Sequence, residues 1–290
     1  MEIQIPLVLF TSFLAWSIGI FGTQCILALK KQAGAIQLVA LVTSFVVLVV
    51  GGIAVLFHLT HPFNIFNGFG HLTSGITQEL IAIVILVVVM AAFFLMLRRS
   101  DDNTVPAWLA VVGLVACLIL VAAMGHSYML AARPAWDSVL QLLSLLGAAC
   151  VLGPATVAII ASVKKVEIEG IGSFAVIGSA VNAVLTAAFL IAMQVSSAAF
   201  QSYDYYFDPT HPNYALVSGA DISLFSGDCM VATVIAIAGA VLAVIAAIIG
   251  RNQKNNWTVW GSVSVIAGFA CVIALRVAMY VMGETLFMLY

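Results

Sequence analysis

The sequence predicts an all-α, polytopic integral membrane protein, a bundle of eight transmembrane helices with both termini on the outer side. Three observations carry that expectation. Hydrophobic residues make up 64% of the 290, charged residues only 8%, and the mean hydropathy is +1.19. A soluble domain carries about 25% charged residues, so this chain has too few to clothe a water-facing surface. Its apolar residues fall into eight runs, each near the roughly 20 that a helix needs to cross a bilayer. Its basic residues gather in alternate loops.

The runs are 5–28, 36–58, 76–97, 105–130, 138–162, 172–197, 229–250 and 257–283. They are continuous in Leu, Val, Ile, Ala and Phe, without a narrow stripe, which suits helices that meet lipid or each other on all sides. The alternation over about ten residues that marks a β-barrel strand is absent. The first run follows Glu2 and leads to Lys30-Lys31, with no basic leader and no small-residue cleavage site, so it is expected to remain as helix 1. The second ends at His58, and the third opens with Gln78 and Glu79. The fourth carries His126 close to its outer end. In the fifth, Leu152-Gly153-Pro154 predicts a kink whose freed carbonyl a Ser or a water satisfies, and Asp137 is placed to cap the start. Asn182 and Gln194 in the sixth suit interhelical hydrogen bonds. Asp228 is placed to cap the seventh, and the eighth contains Arg276. A single membrane domain over 1–290, without an internal repeat, is expected.

Orientation follows from charge. Eight of the ten basic residues, Lys30, Lys31, Arg98, Arg99, Lys164, Lys165, Arg251 and Lys254, follow runs 1, 3, 5 and 7. The opposite loops hold only Arg133. By the positive-inside rule the first set is cytoplasmic. The expectation is therefore a multi-pass protein of the cell (plasma) membrane, N-out and C-out. Its cytoplasmic loops are short, whereas 59–75 and 198–228 on the outer side are longer. The second of these interleaves Tyr203, Tyr205, Tyr206 and Phe207 with Asp204 and Asp208. Two readings stand for it: an interfacial aromatic belt, or a docking surface for an outer partner.

All five histidines lie in outer loops or outer halves of helices: His58, His61, His71, His126 and His211. Glu79, in the first turn of its helix, is expected near the depth of His58. A His and a Glu at the bilayer edge suit the oxidation of a quinol, which needs bases near water and an apolar wall for ring and tail. The plainer reading makes the histidines interfacial and Glu79 a helix-terminal charge. His58 with His126 is the one pair that offers a b-type haem two ligands. The cysteines, Cys25, Cys117, Cys150, Cys229 and Cys271, are scattered over separate helices, so no iron–sulfur cluster is expected in this chain. Arg276 either pairs with a carboxylate such as Glu79 or Glu284, or holds a quinone oxygen. A transporter would show broken helices or paired repeats around a midplane site, and neither is visible.

Three stretches resemble the membrane-anchor subunits of the dimethyl-sulfoxide reductase family. They are His58-Leu59 with Pro62, Phe66, Asn67, Ser74 and Glu79; Tyr128 with Arg133-Pro134-Ala135-Trp136 and Leu152-Gly153-Pro154; and Arg276 with Tyr280. The resemblance implies a haem-free anchor that oxidises menaquinol near the outer face. It would pass electrons to a four-cluster iron–sulfur subunit, which feeds a molybdopterin-containing catalytic subunit reducing an S-oxide or N-oxide in anaerobic respiration. It assigns quinol binding to His58 and Glu79, and from the neighbouring positions His61, Gln78, Arg276 and Tyr280 are expected to contribute. His61, His71 and the aromatic loop depart from the family's pattern. The polysulfide-reductase type of quinone anchor shares the eight-helix plan and is the alternative.

Overall fold

The computed structural model describes residues 3–59, 61, 67, 70–200, 223–253 and 256–283, with backbone only at 199, 200 and 228. Among them are eight helices long and apolar enough to span a membrane, and no strand. They are α1 (Ile5–Leu29), α2 (Gly34–Leu56), α3 (Gly75–Arg99), α4 (Ala107–Ser127), α5 (Val139–Val163), α6 (Ile171–Ser196), α7 (Gly227–Asn252) and α8 (Trp257–Met282). Each lies where its apolar run predicts, with ends moved by three residues at most. In lipid the backbone must satisfy its own hydrogen bonds, so a run of this length has helix as its available form.

An even number of spans brings the chain back to the side where it began. The side where α1 begins and α8 ends is the terminal face, and the other, with the lysine and arginine turns, the basic face. At the basic face α1 and α5 end in the same way. Lys31 and Lys165 adopt left-handed backbone conformations, with φ of 53° and 55°. The next amides, Gln32 N and Val166 N, reach back to Leu27 O and Ala161 O at 2.9 Å in each case. This is the Schellman arrangement with lysine where glycine is usual. The lysine side chains are exposed there and lie close to the negative end of the helix dipole.

Contacts divide the bundle into two groups of four. In the first, α1 touches α2 and α4, and α3 packs on α4; in the second, α5 touches α6 and α8, and α7 packs on α6 and α8. The groups meet chiefly along α1 and α5. These two helices are both 25 residues long, and each has glycine as its fifteenth residue, Gly19 and Gly153. A Cβ on Gly19 would strike the Ala149 carbonyl, and one on Gly153 would strike the Gly19 backbone. Lipid tails are as apolar as leucine, so such close backbone approach is how membrane helices gain contact. The Trp16 indole adds a hydrogen bond to the Thr156 hydroxyl at 2.9 Å across the same seam.

Three local expectations are revised, at Asp137, Asp228 and Gln194; α7 begins at Gly227 with Ser226 as its cap residue, which leaves Asp228 inside the helix. The cap of α5 is Ser138, whose hydroxyl accepts from Leu140 N, and not Asp137, because the helix begins one residue later than its polar flank suggests. Pro154 sits inside an unbroken α5. The carbonyl it frees, that of Cys150, faces the α-carbon of Gly178 on α6, where any side chain would collide. A Cα–H contact thus lies against it. As predicted, Asn182 bonds between helices, its amide donating to Cys271 Sγ on α8 at 3.6 Å. Gln194 instead holds the segment leading into α7, its side-chain oxygen accepting from Leu224 N at 2.9 Å.

Candidate functional site at the terminal face

Glu79 falls just past the first turn of α3, so it is directed into the bundle and is no cap. Only 7% of it is exposed. Its carboxylate accepts a hydrogen bond from the Ser127 hydroxyl at the end of α4. Gly75, one turn earlier, lets α3 approach, since a Cβ there would press on Ser127. A carboxylate four residues into a helix lies about 6 Å from its end.

Beyond Ser127 the chain turns through Tyr128, Arg133 and Trp136 into α5. Trp136 is the hub of this turn. Its indole donates to Met279 O on α8 at 2.6 Å, and its ring meets Tyr128 and Tyr280 edge-on at centroid separations of 5.9 and 5.3 Å. Arg133 stacks over the same ring at 4.4 Å and donates to Gly283 O at 2.7 Å. This aromatic turn locks the end of α8 to the start of α5.

Under it lies Arg276, 1% exposed. The expectation that it pairs with Glu79 is overturned. No carboxylate pairs with it among the described residues, and Glu284 lies outside them. Its Nη2 donates to Ser144 Oγ on α5 at 2.6 Å, and Ser144 Oγ in turn donates to Gln141 O at 2.6 Å. Nη1 has only the Met279 sulfur at 3.6 Å, a weak acceptor. Arg276 Nε and Gln141 Oε1 are buried and have no hydrogen-bond partner among the described residues. The Tyr280 hydroxyl lies within hydrogen-bonding reach of that of Tyr128, the neighbour of Ser127 in the chain. The cluster therefore runs continuously from α3 and α4 of one group to α5 and α8 of the other.

The sequence-predicted residues are distributed unevenly around this cluster. Glu79, Arg276 and Tyr280 belong to it. Gln78 is half-buried beside Glu79, whereas His58 and His61 are exposed, as is His126. Tyr203, Tyr205, Tyr206 and Phe207 lie outside the described residues, as does most of 60–69. Ser127, Gln141 and Ser144 were not singled out. Their signal in the sequence was polar spacing in an apolar run: Gln141 and Ser144 stand three apart, on one face of α5.

The fold and the cluster together define a class, a multi-pass helical membrane protein with a buried polar cluster near one end of the bundle. The chain belongs to the family of the DMSO reductase anchor subunit (DmsC), whose family model matches residues 1–288. It is thus the membrane anchor of a DMSO reductase complex, as its motifs led one to expect. None of the curated proteins matches it.

Proposed function

We propose that this anchor binds menaquinol at the terminal face, takes up its protons at Glu79, and passes its electrons to an iron–sulfur subunit docked there. The observation that carries the reading is a buried carboxylate with no cation paired to it among the described residues: Glu79 is 7% exposed and held by a serine hydroxyl. Ionisable groups inside a membrane bundle are expensive and mark proton or substrate paths. Oxidation of the quinol breaks two O–H bonds and releases two protons and two electrons. Glu79 accepts protons in turn, and the exposed His58 and His61 carry them to the aqueous side. Gln78 lines the mouth, while Arg276 and Tyr280 offer polar atoms to the ring oxygens. The electrons leave singly to the nearest cluster of a four-cluster iron–sulfur subunit, which supplies a molybdopterin catalytic subunit. Loops 59–75 and 198–228 seat that partner, with Tyr203, Tyr205, Tyr206 and Phe207 at the contact. In this reading the anchor itself holds neither haem nor cluster, and its termini face outward by the positive-inside rule. Protons and electrons then leave on one side, and the reaction builds little membrane potential by itself.

The test is menaquinol-driven reduction of the partner's clusters in membranes. Glu79→Gln is expected to slow delivery about a hundredfold with the complex still assembled, and His58→Ala by about tenfold or less because that imidazole is exposed. Wild-type delivery in both variants would remove the quinol site from this edge.

A further inference from the structure

Two buried polar atoms without partners, and a phenol that can still donate, lie at the junction of α5 and α8. Arg276, Gln141 and Tyr280 are respectively 1%, 1% and 2% exposed; Arg276 Nε and Gln141 Oε1 have no partner among the described residues, while the Tyr280 hydroxyl accepts from Tyr128 and keeps its own hydrogen. The helices run antiparallel, with Arg276 bonded to Ser144 and, towards the terminal face, Met279 bonded to Trp136. This register places Gln141 level with Tyr280, one turn above the Arg276–Ser144 pair. Buried donors and acceptors left without partners are costly, so two in one spot call for a ligand. The set is also complementary in kind. Arg276 Nε can only donate, Gln141 Oε1 can only accept, and a phenol can do either. One oxygen that accepts and donates at once satisfies all of them.

We infer that the cluster of Arg276, Tyr280 and Gln141 holds the quinol's second hydroxyl, at the end of the ring away from Glu79. Arg276 Nε and Tyr280 Oη donate to its oxygen, and it donates to Gln141 Oε1. This rests on the proposed quinol reading and gives that site a second pole. Tyr128 follows Ser127, the partner of Glu79, and meets the Trp136 ring that also touches Tyr280, so one aromatic turn joins the two poles. The arrangement distinguishes the two redox forms. A quinone carbonyl keeps both donors but has no hydrogen for Gln141, so the site holds the reduced substrate more tightly than the oxidised product. A site built to bond a hydroxyl discriminates strongly against the analogue that lacks it.

The probes are 2,3-dimethyl-1,4-naphthoquinol and the corresponding quinone, whose binding is measured anaerobically on membranes containing the assembled complex. Gln141→Met keeps length and burial and removes the acceptor. It is expected to weaken the quinol about tenfold and the quinone less than about twofold. Tyr280→Phe removes a donor that both forms use, and is expected to weaken both alike, by about fivefold. Equal losses for quinol and quinone in Gln141→Met, or no loss in either, would overturn the assignment; the second result would leave the cluster to bound water. If Gln141→Met does not assemble, Tyr280→Phe decides, and unchanged affinities for both forms count against the pole. The proposed function fails separately. Glu79→Gln at wild-type delivery sinks that reading, whereas loss in Glu79→Gln with no differential effect at Gln141 sinks only this one.

Discussion

Helices α1 and α5 are built alike and end differently. Both have 25 residues, a glycine at the fifteenth, and a lysine pair closing the same turn at the basic face. At the terminal face the likeness stops. The third and sixth residues of α1 are Leu7 and Phe10; those of α5 are Gln141 and Ser144. Phe10 joins the apolar core, while Gln141 and Ser144 lead to Arg276. The shared features are those that any crossing pair of membrane helices needs, close backbone approach and a satisfied end. The unshared ones leave polar atoms unpaired. A bundle retains such costly groups where they act on something, which is why the site lies on α5 and not on its counterpart.

The comparison can be broken most severely at the shared glycines. Gly153→Val drives a side chain into the Gly19 backbone, which cannot yield. Its expected cost is above about 3 kcal/mol, read as loss of monodisperse protein in detergent and of the assembled complex. The unshared end should behave in the opposite way. Arg276→Met removes a buried cation with no described counter-charge and keeps an unbranched chain in its place. Quinol oxidation is expected to fall by about tenfold or more while the thermal midpoint holds or rises. A parallel fall in the midpoint would make Arg276 a structural residue and erase the contrast.

Smaller changes sharpen the contrast. Ser127→Ala takes from Glu79 the hydroxyl that orients it. Electron delivery is expected to slow by about fivefold, the worth of one hydrogen bond of about 1 kcal/mol, with stability hardly changed. At the middle of α1, Ser17 exchanges hydrogen bonds with Ser44 of α2, each hydroxyl donating to the other's carbonyl, at 2.8 and 2.9 Å. Ser17→Ala should lower stability by about 0.6 kcal/mol, the usual size for such bonds in membrane bundles, and leave quinol-driven cluster reduction unchanged. A clear loss of electron delivery there would mean that the catalytic chemistry extends below the terminal face.

Much of the site was legible, for reasons that differ by residue. Glu79 stood out because a carboxylate in a lipid-length helix has few structural uses. Arg276 stood out likewise, yet its surroundings did not. The sequence offers two carboxylates as partners, and the fold instead turns the guanidinium to Ser144, 132 residues away along the chain. Gln141 and Ser144 passed unnoticed because short polar residues in membrane helices most often serve as interhelical glue, as Asn182 does here. His58 was the reverse case, conspicuous in sequence and exposed in the fold.

What the sequence determined by itself was the set of eight spans and the side on which its charges gather. Both depend on summed transfer free energies over about 20 residues, which are local and need no partner. Family membership was legible as well, carried by short motifs that survive in order. Only the tertiary structure decided that the bundle divides into two groups of four joined at Gly19 and Gly153. Only it brought Glu79 and Ser127 from one group beside Gln141, Arg276 and Tyr280 from the other. Hydropathy says that a helix is in the membrane and nothing about its neighbour, because lipid and leucine are equivalent surroundings. The neighbour is chosen by close packing and hydrogen bonds, which exist only once the helices meet.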